Sequence, residues 1–420
     1  MDKIEQATEW MNDGKVDEAI ELLQQMIPTA SDDEKFMIAE NFYDWGFFEE
    51  AIVLLEQLVK KYPKEGQLLT KLAEMYIELE KDEIAIHLLN DMEEEDPFYI
   101  QSLIHLADLY QAQGLFEVSE QKLLEAKKLD PDEVIIDFAL GELLFSIGQS
   151  NRAIPFYEKV LRQTTEVNHI SITERLAECH ATIGHYEEAL QFYNKIENEH
   201  PDTLFKYGFT AYQQNRNDIA INVWKRLIEL DPYYHSVYVE LAMAMKAEGL
   251  MEDAYETAKQ GLVYDQFNKE LFYLVGQLAL QLHDEAESIE HLNKAIDLDY
   301  DYKEAIVALV QLYEDKEQYS QIIELLTGIK ESGVEDPIYD WELAKALAKE
   351  ERYKEALTAY NNASEHLTYD SEFLKEYGYF LTEEGLIKDA IQVLTKYLKL
   401  DPFDEETLSF VERLNLSINE

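Results

Sequence analysis

The sequence is nearly free of cysteine and poor in basic residues. Its one cysteine, Cys179, excludes an intramolecular disulfide, as is typical of proteins in a reducing compartment. The longest notable uncharged run, LFYLVGQLALQL at 271–282, is shorter than the roughly 18 residues that a membrane-spanning helix needs. The start, MDKIEQATEW, lacks the apolar stretch of a secretory signal and carries acidic residues at once. These absences predict a cytoplasmic protein without membrane insertion.

Positive charge is scarce as well. The chain carries 87 acidic and only 36 basic residues, and the resulting net charge of −51 is spread along its whole length. Nucleic acids and anionic membranes are both bound through Lys and Arg, so this surface predicts no nucleic-acid partner. Basic partners and cations are favoured instead. Because 46% of the residues are hydrophobic and 12% are aromatic, we still expect a folded chain with a large core.

Glycine is sparse too, yet seven of the 15 glycines mark turns at a regular spacing. The same short turn between two amphipathic helices recurs twelve times, in steps of 31 to 36 residues of which eight are 34. The turn residues, called markers below, are Gly14, Gly46, Glu80, Gly114, Gly148, Gly184, Asn215, Gly249, His283, Glu317, Glu351 and Gly385. A fixed period of this kind is the signature of a repeat protein.

Small residues occupy two registers around the markers. Seven residues before the marker, eleven of twelve repeats have Ala or Gly, and five residues after it nine have Ala. Small side chains let two antiparallel helices approach closely. Larger apolar residues nine positions after the marker, such as Leu123 and Tyr157, are expected to fill the gap to the neighbouring repeat. Proline lies 17 positions after six markers, where it ends the second helix and starts the next pair.

This helix-turn-helix unit, with its small, large and proline positions, resembles the tetratricopeptide repeat. The resemblance covers residues 1 to about 404 as twelve repeats, and the chain is similar to bacterial cytoplasmic members of that family. It implies an all-α fold, in which antiparallel helix pairs stack into a right-handed superhelical solenoid with a C-terminal capping helix.

Three irregular places interrupt the array. A longer connector, RQTTEVNHIS at 162–171, follows repeat five, and the first helix of repeat seven is predicted to be shortened after Pro201. Repeat ten has Val310 and Ile322 at its small positions and ends in ESGVEDP. We therefore divide the chain into residues 1–167 with repeats one to five and the acidic groove, 168–336 with repeats six to ten, 337–404 with repeats eleven and twelve, and 405–420 as the capping helix.

The sequence offers little to a catalytic site. The repeats use almost every residue, which leaves no stretch long enough for an appended enzyme domain. Cys179, His180 and His185 lie close together, but their spacing matches no strong zinc pattern. The acids of 297–301 begin like a calcium loop, yet Tyr302 stands where such a loop needs Gly. Phosphate-binding glycine loops, nucleophile elbows and HExxH motifs are absent. We predict no catalytic residues, no metal and no cofactor, so the protein is not expected to be an enzyme.

In the resembled family, a second face of each first helix lines a groove that binds extended peptides or partner helices. The residues six positions before the marker lie on that face, and in repeats two to six all of them are acidic. This acidic ladder consists of Glu40, Glu74, Asp108, Glu142 and Glu178. Aromatic residues on or beside the same face gather around repeats five to seven. This aromatic cluster consists of Phe138, Phe145, Phe205, Phe209 and Tyr212.

We therefore predict a non-enzymatic scaffold or adaptor that binds other proteins in its groove. The ladder would pair with a basic segment and the aromatic cluster would hold apolar side chains, although a ladder in so acidic a chain also fits a solvated face. A second interpretation is a peptide-gated regulator, and an enzyme is the third and least favoured. Lys345 and Lys349, beside the C-terminal groove, leave self-association open.

Overall fold

The computed structural model describes residues 3–197 and 199–419, with side chains up to residue 417. These residues form a succession of short amphipathic helices. The chain divides into two compact units, Met1–Gln214 and Asn215–Glu420. The helices of the first unit are α1 (Lys3–Asn12), α2 (Val16–Met26), α3 (Asp32–Asp44), α4 (Phe48–Lys61), α5 (Gly66–Glu78), α6 (Asp82–Asn90), α7 (Tyr99–Ala112), α8 (Phe116–Leu129), α9 (Val134–Ser146), α10 (Ser150–Leu161), α11 (Ile172–Thr182), α12 (Tyr186–Tyr193) and α13 (Pro201–Gln213), with a 3₁₀ turn at Ile27–Thr29.

The second unit continues the alternation of first and second helices. Its helices are α14 (Asn217–Leu230), α15 (Ser236–Ala247), α16 (Met251–Tyr264), α17 (Lys269–Gln281), α18 (Glu285–Leu298), α19 (Lys303–Asp315), α20 (Tyr319–Glu331), α21 (Pro337–Lys349), α22 (Tyr353–Ser364), α23 (Ser371–Glu383), α24 (Ile387–Leu400) and α25 (Glu405–Asn419). The predicted all-α fold of antiparallel helix pairs is confirmed.

Each predicted marker ends a first helix in the left-handed backbone region. All twelve have φ between 55° and 81°, including the five that are not glycine. At Gly114 the marker N–H donates to Gln111 O at 2.9 Å, and the next N–H, of Leu115, donates to Tyr110 O at 2.8 Å. This pair of bonds is the Schellman cap, which satisfies carbonyl groups that the helix end would leave unpaired. The cap turns the chain back for the second helix.

The two small registers are buried in every repeat, as the sequence predicts. The large residue nine positions after the marker packs against a different neighbour than the sequence predicts. A Cβ atom on Gly141 would stand 2.7 Å from the ring of Tyr157, and one on Gly276 would stand 2.8 Å from Leu292 Cγ. In these repeats the large side chain therefore packs directly on the small residue of its own hairpin, and not only against the neighbouring repeat. A wide side chain needs a small one opposite it when two helices lie this close.

Several turns between repeats contain an aspartate that accepts a backbone N–H group. Asp231 Oδ1 accepts the backbone N–H of Tyr233 at 3.0 Å, and Asp401 Oδ1 accepts that of Phe403 at 3.3 Å. Such bonds to the backbone two residues on favour a turn over further helix. The predicted prolines lie in these turns or, at Pro201, in the first residue of α13, where a missing N–H costs nothing.

One prediction about the irregular junction is wrong. Helix α13 is 13 residues long and therefore not shortened. The short helix is α12, with 8 residues, which ends repeat six. The connector 162–171 forms an antiparallel hairpin of β1 (Glu166–Val167) and β2 (Ile170–Ser171). Its turn residues Asn168 and His169 both have positive φ, as the tight I′ turn of a hairpin requires.

Helix α25 closes the second unit. Its Phe410 ring stacks on Tyr379 of α23 with ring centroids 5.1 Å apart, and Thr407 lies within hydrogen-bond distance of the Tyr379 hydroxyl at 3.1 Å. This contact supports a capping role for α25. The division into 1–167, 168–336, 337–404 and 405–420 stays a prediction.

Candidate functional site

A groove of about 790 Å³ crosses three successive first helices of the first unit, α9, α11 and α13, and reaches α12 beside them. Its lining is formed by Phe145, Arg175, Glu178, Ala181, Thr182, Tyr186, Tyr193, Phe205, Lys206, Phe209, Thr210 and Gln213. The periodic stacking of the repeats brings these residues together from positions up to 68 apart in the chain. The groove lies in the region where the sequence predicts the aromatic cluster.

Three members of the aromatic cluster, Phe145, Phe205 and Phe209, line this groove. Phe209 keeps 41% of its surface exposed, and its ring stacks on Phe205 with centroids 6.4 Å apart. Phe138 is only 7% exposed and belongs to the core. It precedes the buried Gly141 by three residues, so both lie on the core face of α9. Tyr212 is half-buried and lies outside the lining.

Two carboxylates of the acidic ladder at this groove are engaged by Arg175. Its Nε donates to Glu142 Oε1 at 2.8 Å and its Nη2 to Glu142 Oε2 at 3.2 Å. Its Nη1 donates to Glu178 Oε2 at 2.9 Å. The Lys206 ammonium donates to the remaining oxygen, Glu178 Oε1. These four residues form the groove quartet, which has no net charge.

The core also contributes to the groove quartet. The hydroxyl of the buried Tyr157 donates to Glu142 Oε1 at 2.6 Å. Burial, followed by this bond to a carboxylate, raises the pKa of Tyr157 far above its usual range. Burial alone would lower the pKa of Arg175, but the bonds to Glu142 and Glu178 outweigh it and raise that pKa. Arg175 therefore stays charged, and the Tyr157 hydroxyl holds Glu142 from the core side.

The other ladder residues differ in their surroundings. Glu74 accepts from Lys71 at 2.8 Å and lies 3.5 Å from His105 Nε2. Glu40 is half-buried and Asp108 is exposed, and neither has a hydrogen bond or ion pair to the described residues. The ladder is thus a mixture of paired and unpaired carboxylates, and desolvation raises the pKa of the unpaired Asp108. The predicted pairing of the ladder with a basic segment would rest on Glu40 and Asp108.

The two cations of the groove quartet occupy the same position within their repeats, and the sequence prediction does not include this position. Arg175 and Lys206 lie nine residues before their markers, and each bonds the ladder carboxylate of the preceding repeat. His105 occupies the same register and contacts Glu74 of the repeat before it. Basic residues at this position, one repeat after a ladder acid, are the signal that could have revealed the pairing.

The C-terminal groove region is internally paired as well. Lys345 lies 2.5 Å from Glu342 and 3.6 Å from Glu314, and Lys375 lies 2.8 Å from Asp404. A neighbouring groove of about 570 Å³ includes Lys345 and Lys349 among its lining. Self-association through this face stays a prediction.

Across 3–197 and 199–419, no three His, Cys, Asp or Glu side chains are grouped so that they could hold a metal ion. None of the helices in these ranges combines the length and apolar character that crossing a bilayer requires.

Known proteins resemble the chain along its whole length. Profiles described as YpiA-like tetratricopeptide repeats match residues 111–165, and profiles of the C-terminal YpiA-like repeats match 337–404. The TPR repeat-containing protein YpiA of Bacillus subtilis is 39% identical over 413 residues, which are 98% of each chain. Lipopolysaccharide assembly protein B of Escherichia coli K12 is 26% identical over 45% of this chain and 51% of its own. The crystal structure of YrrB, a TPR protein with an unusual peptide-binding site, aligns with a TM-score of 0.39 at 20% identity over 44% of this chain and 96% of its own.

Proposed function

The chain belongs to the tetratricopeptide repeat family, and we propose that it is a non-enzymatic scaffold that binds a partly apolar segment of a partner protein in the groove across α9, α11 and α13. Proteins built from such repeats are generally interaction scaffolds. We place the scaffold in the cytoplasm, because its one cysteine, Cys179, is buried and free.

The exposed aromatic lining of the groove carries this proposal. Phe145 and Phe205 are half-buried and Phe209 is 41% exposed, so the three rings are partly in contact with water. Apolar side chains that are held in a concave site and left open to solvent favour contact with a partner, since covering them releases water. Aromatic residues are also common among those that contribute most to binding at protein interfaces.

The aromatic rings of the groove pack against neighbouring side chains. The stacked pair Phe205 and Phe209 is on α13, and the guanidinium of Arg175 lies 5.0 Å from the centroid of Phe145. The rings are therefore fixed by neighbours before any partner arrives. A preformed site loses less conformational entropy on binding than a flexible one.

A random dodecapeptide library displayed on phage tests the proposal. Peptides selected on the full-length protein would be synthesised with a fluorophore and titrated by fluorescence polarisation against wild type and Phe209→Ser. Removal of a central aromatic contact should weaken binding about tenfold or more. The variant must keep the helical circular dichroism and melting temperature of the wild type.

Tyr233→Ser is the matched control. Tyr233 is 71% exposed on the second unit and does not line the groove, so its loss should leave peptide affinity unchanged. Peptides that bind wild type and Phe209→Ser equally well would contradict the proposed site.

A further inference from the structure

The groove quartet sets the chemistry of the partner that the groove accepts. Every carboxylate oxygen of Glu142 and Glu178 already receives a hydrogen bond from within the chain. Arg175 uses three of its five N–H groups in these bonds, and Lys206 uses one of its three. Most of these oxygens could accept a second bond, but Glu142 does not line the groove and Glu178 is nearly buried, so the groove quartet offers a ligand mainly donor groups.

The exposed fractions of the side chains also favour contact with the cations. The side chain of Glu178 is 9% exposed, whereas that of Lys206 is 47% exposed. Arg175 lies over the Phe145 ring at 5.0 Å from its centroid, so its cation borders the apolar lining. At the Lys206–Glu178 pair a ligand in the groove would therefore contact the cation first. Arg175 and Glu142 are similarly exposed, at 24% and 26%, but only Arg175 lines the groove.

We infer that the groove selects a segment in which an apolar side chain and a carboxylate lie within about three residues of each other, and that Arg175 and Lys206 recognise this carboxylate. The inference rests on the proposed function. The apolar side chain packs on Phe145, Phe205 and Phe209, and the carboxylate accepts from the remaining N–H groups of the two cations. Hydrogen bonds between ionised partners are shorter and about twice as strong as neutral ones.

The charge of the whole chain does not reverse this preference. At physiological ionic strength exposed charges are screened beyond about 8 Å, so the net charge of −51 acts weakly on a carboxylate inside the groove. A Lys or Arg at the same place would meet two cations, and the nearly buried Glu178 would be the acceptor that the groove quartet contributes to the lining. The basic segment expected from the ladder is therefore disfavoured at this point of the groove.

The peptides selected on phage provide the test. Sequences that depend on Phe209 should combine an aromatic or large aliphatic residue with Asp or Glu within three positions. Changing that acid to Asn or Gln should weaken binding about fivefold to twentyfold, and Lys206→Gln should produce a similar loss. Amidation of the peptide C-terminus separates a side-chain carboxylate, whose binding persists, from a terminal one.

Lys128→Glu is the charge control for Lys206→Glu, because Lys128 is exposed on α8 and does not line the groove. Lys206→Glu should abolish binding of the acidic peptides, whereas Lys128→Glu should leave it nearly unchanged. Since Lys206→Glu places two carboxylates together and could impair folding, Lys206→Gln is measured beside it and both melting temperatures are compared. Groove-dependent peptides rich in Lys or Arg would overturn the inference and leave the proposed function intact. If no selected peptide depends on Phe209, both fail.

Discussion

Gly141 lies so close to Tyr157 that a Cβ atom at position 141 would stand 2.7 Å from Cε1 of the ring. The ring itself is fully buried, and its hydroxyl is bonded to Glu142. The contact therefore couples the packing of one hairpin to the position of a groove carboxylate. Glycine is required here for space and not for its backbone, since Gly141 lies within α9.

Replacing this glycine should destabilise the first unit. Gly141→Ala forces the added methyl group against a ring that cannot retreat, and such overpacking costs about 1–3 kcal/mol. The measurement is chemical denaturation followed by circular dichroism. Gly328→Ala is the control, because Gly328 is exposed within α20 and has no atom within 4 Å of its Cβ position. That change should stabilise by about 0.5–1 kcal/mol through helix propensity. Equal effects of the two substitutions would show that position 141 has room.

From the left-handed caps of the hairpins we expect two substitutions to have opposite effects on stability. His283 ends α17 at φ 64°, a conformation that costs a non-glycine residue about 1–2 kcal/mol. His283→Gly should therefore raise the free energy of unfolding of the second unit by about 1 kcal/mol. Gly249 has φ 76° and open space around its Cβ position, so Gly249→Ala should lower the free energy of unfolding by a similar amount. If both changes act in the same direction, the left-handed backbone does not determine the stability of these turns.

Most of the fold could be predicted from local spacing. The marker register fixes where each first helix ends, because a left-handed cap needs only the residues of one turn. The small registers at Gly141 and Ala177 likewise follow from the period of the helix. These features repeat twelve times, so a single misplaced residue does not hide them.

The site could be predicted only in part, because its chemistry depends on pairs in different repeats. The sequence predicts the ladder acids Glu142 and Glu178, but their pairing with Arg175 depends on the distance between adjacent first helices. Phe138 belongs to the predicted aromatic cluster but lies on the core face, because rotating a helix by a fraction of a turn moves a side chain from the groove to the core.

A half-buried histidine beside the groove, His180, should make stability depend on pH. The ring of His180 stacks on Phe192 with centroids 5.5 Å apart and lies 6.0 Å from His185. Its buried Nδ1 has no hydrogen-bond partner among the residues described. Burial lowers the pKa of His180 below its usual 6.5, and the nearby His185 adds to this, while Glu188 acts in the opposite direction.

The lowered pKa of His180 determines the sign of the effect. Below pH 6.5 the unfolded chain binds a proton at this residue more readily than the folded chain does, so stability falls as the pH decreases. His180→Phe should keep the ring stack and reduce the loss of unfolding free energy between pH 8 and pH 6. Chemical denaturation at both pH values measures this loss. His366→Gln is the control, because His366 is exposed. A loss that is as large in His180→Phe as in wild type would remove His180 as the cause.

The buried thiol of Cys179 should report opening of the first unit. Burial, together with the nearby Glu178, raises the pKa of Cys179 to about 12. The side chain has no exposed surface, and the thiolate is the reactive form. Labelling by a thiol reagent at pH 8 should therefore require transient unfolding and proceed at least about a hundredfold more slowly than for an exposed thiol.

The reference for this rate is a variant that carries Cys179→Ala and Ser320→Cys, since Ser320 is exposed at the start of α20. Its thiol should react at once in native buffer. Because Cys179 is the sole cysteine, the slow rate in wild type follows the first unit alone. Raising denaturant should accelerate the labelling with a midpoint different from that of the second unit, since repeats contact mainly their neighbours and need not melt together. Native labelling of Cys179 as fast as that of the variant would place the thiol at the surface and contradict the packing of α11.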